Sequence, residues 1–108
     1  MTLATVTSDL DGDHLSVALA GEIDLSNADD VQSQILELTS NQLMHVLVDL
    51  SELEYLDSAG LRMLFRLAGR LSVSQIGLEL LVPEGSPARE MIELVGLSSV
   101  ATVHSPPG

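Results

Sequence analysis

Between Met44 and Leu50 the chain reads Met-His-Val-Leu-Val-Asp-Leu, a near-continuous apolar run closed by Asp49. Such a run is expected to form a central strand covered on both faces. A strand of that kind needs neighbours, and the flanking sequence supplies them. Upstream, Leu3 to Thr7 reads as a first strand, and His14 to Ala20 alternates Leu15, Val17 and Leu19 with polar or small residues, the period of a half-buried strand. Asp11-Gly12 between them supports the positive backbone torsions of a tight turn, so the two strands are expected to form a hairpin.

Gly21 and Glu22 lead through Ile23, Asp24 and Leu25 to a helix capped by Ser26 or Asn27, with Asp29 and Asp30 in its first turn where the helix dipole favours them. Ala28, Val31, Ile35 and Leu38 share one face; Leu36 falls outside it and reads as an ordinary exposed leucine. Downstream of the apolar run, Ser51 to Tyr55 reads as a polar connection. A second helix opens at Asp57 or Ser58 and runs to about Leu71, with Leu61, Leu64, Phe65, Ala68 and Leu71 inward. Gly77 to Val82 supplies another strand, and Pro83-Glu84-Gly85 turns the chain. A third helix is then punctuated by Ser86 as N-cap, Pro87 at its first position and Gly96 past its end. Val100 to Val103 adds an edge strand, and 104–108 is expected to be a disordered tail. The fold expected is a single α/β domain over residues 1–108: an N-terminal hairpin, then alternating strands and helices, making a small mixed sheet covered by helices.

Charge and composition remove whole classes of function. Sixteen acidic side chains face four basic ones, a formal charge of −12, and there is no lysine; the cations are Arg62, Arg66, Arg70 and Arg89. Direct nucleic-acid binding is excluded, because phosphate recognition depends on clustered cations. Tyr55 and Phe65 are the only aromatics, so there is no stacking platform for single strands. Without cysteine there is no disulfide framework, thiolate metal site or cysteine nucleophile. His14, His45 and His104 lack metal-ligand spacing. Met1 to Ser8 carries no positive charge, and every later apolar run stops well short of the ~18 residues a membrane span needs, so no membrane insertion and a cytoplasmic location are expected.

The most informative segment runs from Val46 to Leu61 and ends Asp57-Ser58-Ala59-Gly60-Leu61. It places a small hydroxyl where a strand's connection feeds a helix N-terminus, whose unpaired N–H groups and dipole can receive an anion. Ala59 and Gly60 keep the first turn thin enough for close approach of a partner. Asp57 and Ser58 also read as ordinary caps. No Walker motif or G-x-G-x-x-G follows a strand, and the G-x-S-x-G pattern of a serine hydrolase is missing, so neither an enzyme nor a cofactor is expected.

Asp49 through Leu61, with Gly21-Glu22-Ile23-Asp24 and the order of elements, resembles the STAS domain of bacterial anti-sigma factor antagonists over nearly the whole chain. The resemblance implies a partner switch. The unmodified form binds an anti-sigma factor that is also a serine kinase and so frees the sigma factor; phosphorylation, carried over to Ser58, breaks that complex; a PPM-type serine phosphatase restores it. The partner-binding residues implied are Asp24, Asp57, Ser58, Ala59, Gly60, Leu61, Arg62 and Met63, with Asp57 in a positioning and contact role; Asp24 reads equally as a capping or solvated aspartate, and Met63 as a methionine at the edge of the core. Arg62, Arg66 and Arg70 recur every four residues from Ser58, and Arg62 is placed to reach back over it; the same stripe also reads as a solvated face. The alternative is a STAS subunit of a lipid-transport or other signalling complex.

Overall fold

In the computed structural model, residues 3–40 and 42–107 are described; Met1, Thr2 and Gly108 of the terminal segments lie outside them, as does Asn41. The hairpin forms as expected. Strand β1 (Ala4–Asp11) pairs antiparallel with β2 (His14–Ile23), and Gly12 opens the two-residue loop at φ 63°. Both strands are longer than their apolar alternation suggested, because pairing runs unbroken from Ala4↔Gly21 to Asp11↔His14.

After the hairpin come α1 (Ala28–Leu38), β3 (His45–Leu56), α2 (Ser58–Val73), β4 (Gly77–Leu81), α3 (Pro87–Leu94), a 3-10 turn (Leu97–Ser99) and β5 (Thr102–His104). The sheet order is β1-β2-β3-β4-β5, parallel from β2 onward. Right-handed crossovers that always step the same way put their helices on one face of a sheet. That face carries Leu15, Val17, Val46, Val48, Leu78 and Leu80, all buried and aligned by the pairs Leu15↔Val46↔Leu78 and Val17↔Val48↔Leu80.

The structure corrects the expectation that the apolar run is covered on both faces. Val46, Val48 and Leu50 are buried, but Leu47 and Asp49 on the other face are only half-buried and Met44 is exposed. Ser51 to Tyr55 is not a connection either. The strand continues to Leu56, because β2 continues beside it: Ala18↔Asp49 is followed by Ala20↔Glu52, and Gly21↔Leu53 by Glu22↔Tyr55. Each step leaves one extra residue on β3, a pair of bulges that bend it. At the first, the Asp49 carboxylate accepts the Ser51 N–H at 2.9 Å. Since β4 pairs no further than Asp49, the extension is flanked by a strand on one side only and tolerates Glu52 and Glu54.

Helix faces differ from expectation by about one position. Leu36 packs against the core while Leu38 is exposed. In α2, Met63 and Leu67 are buried and Phe65 lies at the rim. Helix α3 follows its punctuation: the Ser86 hydroxyl accepts the Arg89 N–H, Pro87 is the first residue, and Gly96 lies past the end at φ 76°. The expected tail is tied down through Ser105. His104 belongs to β5, its carbonyl accepts the Val82 N–H, and the Arg89 guanidinium donates to Val82 O, His104 O and Ser105 Oγ. No helix among the described residues is long and apolar enough to cross a membrane.

Two glycines give opposite predictions for stability. Gly21 sits at φ 96°, and a Cβ there would lie 2.6 Å from the Leu3 carbonyl oxygen. Gly21→Ala should therefore cost about 2 to 4 kcal/mol, combining left-handed strain with a backbone clash. Gly69, exposed within α2, has open space around its Cβ position, and Gly69→Ala should stabilise by about 0.5 to 1 kcal/mol. Urea midpoints that shift the same way for both would contradict these backbone assignments.

Candidate functional site

Strands β2 and β3 end together. Ile23 pairs with Leu56, and the Asp57 N–H donates to the Ile23 carbonyl at 3.3 Å. The Asp24 loop into α1 and the Asp57-Ser58 entry into α2 thus lie side by side at the carboxyl ends of parallel strands, the usual ligand position of open α/β sheets.

Asp57 is the N-cap of α2. It has extended backbone, and one carboxylate oxygen accepts from Ala59 N–H at 2.9 Å and Gly60 N–H at 3.2 Å. Ser58 is the first helical residue; it is exposed, and its hydroxyl makes no hydrogen bond among the described residues. This separates the two capping alternatives: the carboxylate caps and the hydroxyl is left over. It also corrects the expected anion cradle, because the amides of Ala59 and Gly60 are already occupied by Asp57.

Gly60 does not thin the surface. It is buried, and a Cβ there would run into the Leu56 side chain and lie 3.2 Å from Ile23 Cγ2. Its role is to let the first turn of α2 close onto the two strand ends. Ala59 is half-buried against the core, Leu61 is buried, and Met63 is 1% exposed. The side chains of Leu61 and Met63 therefore belong to the core, Leu61 as its helical spacing suggested and Met63 more deeply than the rim of the core. Asp24, Asp57, Ser58, Ala59 and Arg62 are the expected residues left with side chains at least partly exposed at this end of the sheet.

Asp24 has local work. Its carboxylate accepts the Ser26 N–H at 2.8 Å and the Ser26 hydroxyl at 2.6 Å, and its own N–H donates to Asn27 Oδ1 at 2.9 Å. Asn27, the N-cap position of α1, also donates from Nδ2 to Glu22 O, so its side chain braces the loop instead of capping the helix. Two apolar residues beside the site were missed in the sequence. Leu25 in the Asp24 loop is 81% exposed, and Tyr55, just before Leu56, is 52% exposed. Leu25 carried a signal, an apolar residue inside a polar capping segment. Next to Tyr55 runs a groove of about 190 Å³ that Leu53, Pro87, Ala88 and Met91 also line.

Arg66 lies 3.5 Å from Asp29 of α1, whereas Arg62 and Arg70 are exposed and make no ion pair among the described residues. The histidines, far apart in sequence, meet on the open face of the sheet. His14 stacks on His45 with centroids 4.6 Å apart, and Glu79 accepts His104 at 2.9 Å and faces His45 at 3.6 Å. Among the described residues no group of three or more histidines and carboxylates is placed to hold a metal ion.

If Asp57 is the cap and Ser58 is not, Asp57→Ala should lower stability by about 0.5 to 2 kcal/mol, with Asp57→Asn recovering most of the loss, while Ser58→Ala stays within about 0.5 kcal/mol of the unmodified protein. Chemical denaturation of the three variants checks the order; a larger loss at Ser58 than at Asp57 would reverse the assignment.

Comparison with known proteins agrees with this architecture. The family described as "Mlab, STAS domain" matches residues 6–102. The anti-sigma-F factor antagonist RsfB of Mycobacterium tuberculosis is 33% identical over 97 residues, 86% of this chain and 77% of that protein. Among solved structures, an anti-sigma factor antagonist from Mycobacterium paratuberculosis superposes with TM-score 0.82 at 22% identity, over 94% of this chain and 86% of the other. SpoIIAA in its unphosphorylated form gives 0.76 at 17% identity over 95% and 89%, and the phosphorylated form of this Bacillus protein gives 0.72 at 16% over 95% and 92%. The structural likenesses speak to the fold, the family match and the RsfB identity to descent, and on these grounds the chain belongs to the STAS domain family, with anti-sigma factor antagonists as its relatives.

Proposed function

We propose that this protein is an anti-sigma factor antagonist whose docking end is the Asp24 loop and the start of α2, switched by phosphorylation of Ser58. The observation that carries the reading is the exposed, unbonded hydroxyl of Ser58 directly after a cap that does not need it. The partner is an anti-sigma factor that is also a serine kinase, and a PPM-type phosphatase reverses the modification. In the forward step Ser58 Oγ attacks the γ-phosphorus of ATP held by the kinase. An O–P bond forms, the bond to the bridging oxygen breaks, ADP leaves, and the hydroxyl proton passes to a base of the kinase. In the reverse step a water activated by the phosphatase attacks phosphorus and releases inorganic phosphate, returning the hydroxyl.

The physical basis of the switch is the difference between a helix end in water and the same end under a partner. A phosphate brings roughly −1.5 to −2 charges. Exposed, it is solvated and the scaffold tolerates it. Under a close-packed partner that covers Leu25 and Tyr55, it brings bulk, loss of hydration and repulsion with the neighbouring Asp57. A penalty of about 4 kcal/mol would weaken binding roughly a thousandfold.

The test is incubation with the anti-sigma kinases of the source organism and ATP. The reading expects a mass gain of one phosphate mapping to Ser58, absent in Ser58→Ala, and binding weakened at least about a hundredfold in Ser58→Asp, a loss of ~2.7 kcal/mol. Undiminished binding by Ser58→Asp would contradict it. Stable copurification with a transporter ATPase and no phosphate gain would support the alternative of a STAS subunit in a lipid-transport complex.

A further inference from the structure

We propose that Arg62 is the counter-ion of the phosphate on Ser58, an intrahelical ion pair that forms only after modification. The inference rests on the reading that Ser58 is the modified residue, and it names the group that receives the new charge.

The need for a counter-ion comes from Asp57. A phosphate attached at the first residue of a helix is ordinarily met by free first-turn amides, but here the Ala59 and Gly60 N–H groups already donate to the Asp57 carboxylate. Leu61 N–H is engaged by the Asp57 carbonyl. The phosphate therefore arrives beside a carboxylate, at a helix end where Ser58 N–H alone of the first-turn amides is left without an acceptor among the described residues, with the Asp24 loop alongside and a chain carrying 16 acidic residues behind it. Without a cation nearby, modification would place like charges together.

Among the described residues only one arginine is in reach. Arg89 is drawn toward Glu93 and the carbonyls of Val82 and His104. Arg66 is paired with Asp29 across to α1. Arg70 lies twelve positions beyond Ser58, about 18 Å along the helix axis. Arg62 is four positions on, about 6 Å along the axis and on the same face. Helical side chains lean toward the N-terminus, a direction that brings an arginine at this position within reach of the first turn. It is exposed and makes no ion pair among the described residues, so nothing has to be broken before it turns to the phosphate. A guanidinium presents paired N–H donors that match phosphate oxygens, which makes arginine better suited than lysine to this role.

The pair is tested without a kinase by installing phosphoserine at position 58 during translation, in the full chain and in Arg62→Gln, Arg62→Lys and Arg70→Gln backgrounds. The readout is the second ionisation of the phosphate, followed by phosphorus NMR. With Arg62 present it should fall at a pH lower by about 0.3 to 0.6 unit than in Arg62→Gln, since a neighbouring cation favours the dianion. Arg62→Lys should recover part of the shift, Arg70→Gln should match the parent, and about 0.5 M salt should shrink the difference. Superimposable titrations for the parent and Arg62→Gln would overturn the pair. Since the phosphate is installed directly, that failure is distinct from a failure of any kinase to modify Ser58, which would count against the proposed function alone.

Discussion

One oxygen of the Asp57 carboxylate holds the amides of both Ala59 and Gly60 while the Asp57 amide reaches across to the Ile23 carbonyl, and the arrangement at this end of the sheet depends on those bonds. They start α2 where β2 and β3 finish, and they place the Asp24 loop beside the helix entry. They also leave the Ser58 hydroxyl without a hydrogen bond among the described residues. A serine that capped its own helix would tie modification to unfolding; one released from capping can be modified at little cost to the scaffold.

The segment from Asp57 to Met63 accordingly divides by depth. Gly60, Leu61 and Met63 face the core, and Gly60 is required because Leu56 and Ile23 occupy the space a side chain would fill. Asp57, Ser58 and Arg62 face outward to varying degrees. A seven-residue segment thus serves two ends at once: its small and apolar residues dock the helix onto the strand ends, and its polar residues form the surface. Exposed Leu25 and Tyr55 extend that surface with apolar area, the composition expected at the centre of a protein interface.

Much of the fold was legible because local signals agreed with tertiary ones. The hairpin at Gly12 and the Ser86-Pro87 start and Gly96 stop of α3 each follow from one residue's torsional or hydrogen-bonding preference, and the burial of Val46 and Val48 from the apolar run they belong to. What was not legible came from the partner strand or the neighbouring helix. Ser51 to Tyr55 looks polar because β3 outruns β4 there, and only the register with β2 shows it to be strand. Phe65 and Leu38 seemed inward on helical spacing, but α1 and α2 pack on each other as well as on the sheet, and the buried arc turns toward Leu36, Met63 and Leu67. At the site, Ser58 could be singled out from sequence, but which of Asp57 and Ser58 caps could not, since both residue types serve equally well. The meeting of His14, His45, Glu79 and His104 depends wholly on strand order and left no trace in spacing.

The account stands on a separation between surface and scaffold, so the most direct test is amide hydrogen exchange across the chain before and after phosphate is placed on Ser58. It predicts changed exchange confined to Ile23 through Asn27 and Leu56 through Arg62, with the protection of core amides such as Val48 and Leu80 held within about twofold. Protection lost by about tenfold or more along β3 and β4 would show that modification acts by loosening the fold, and would contradict it.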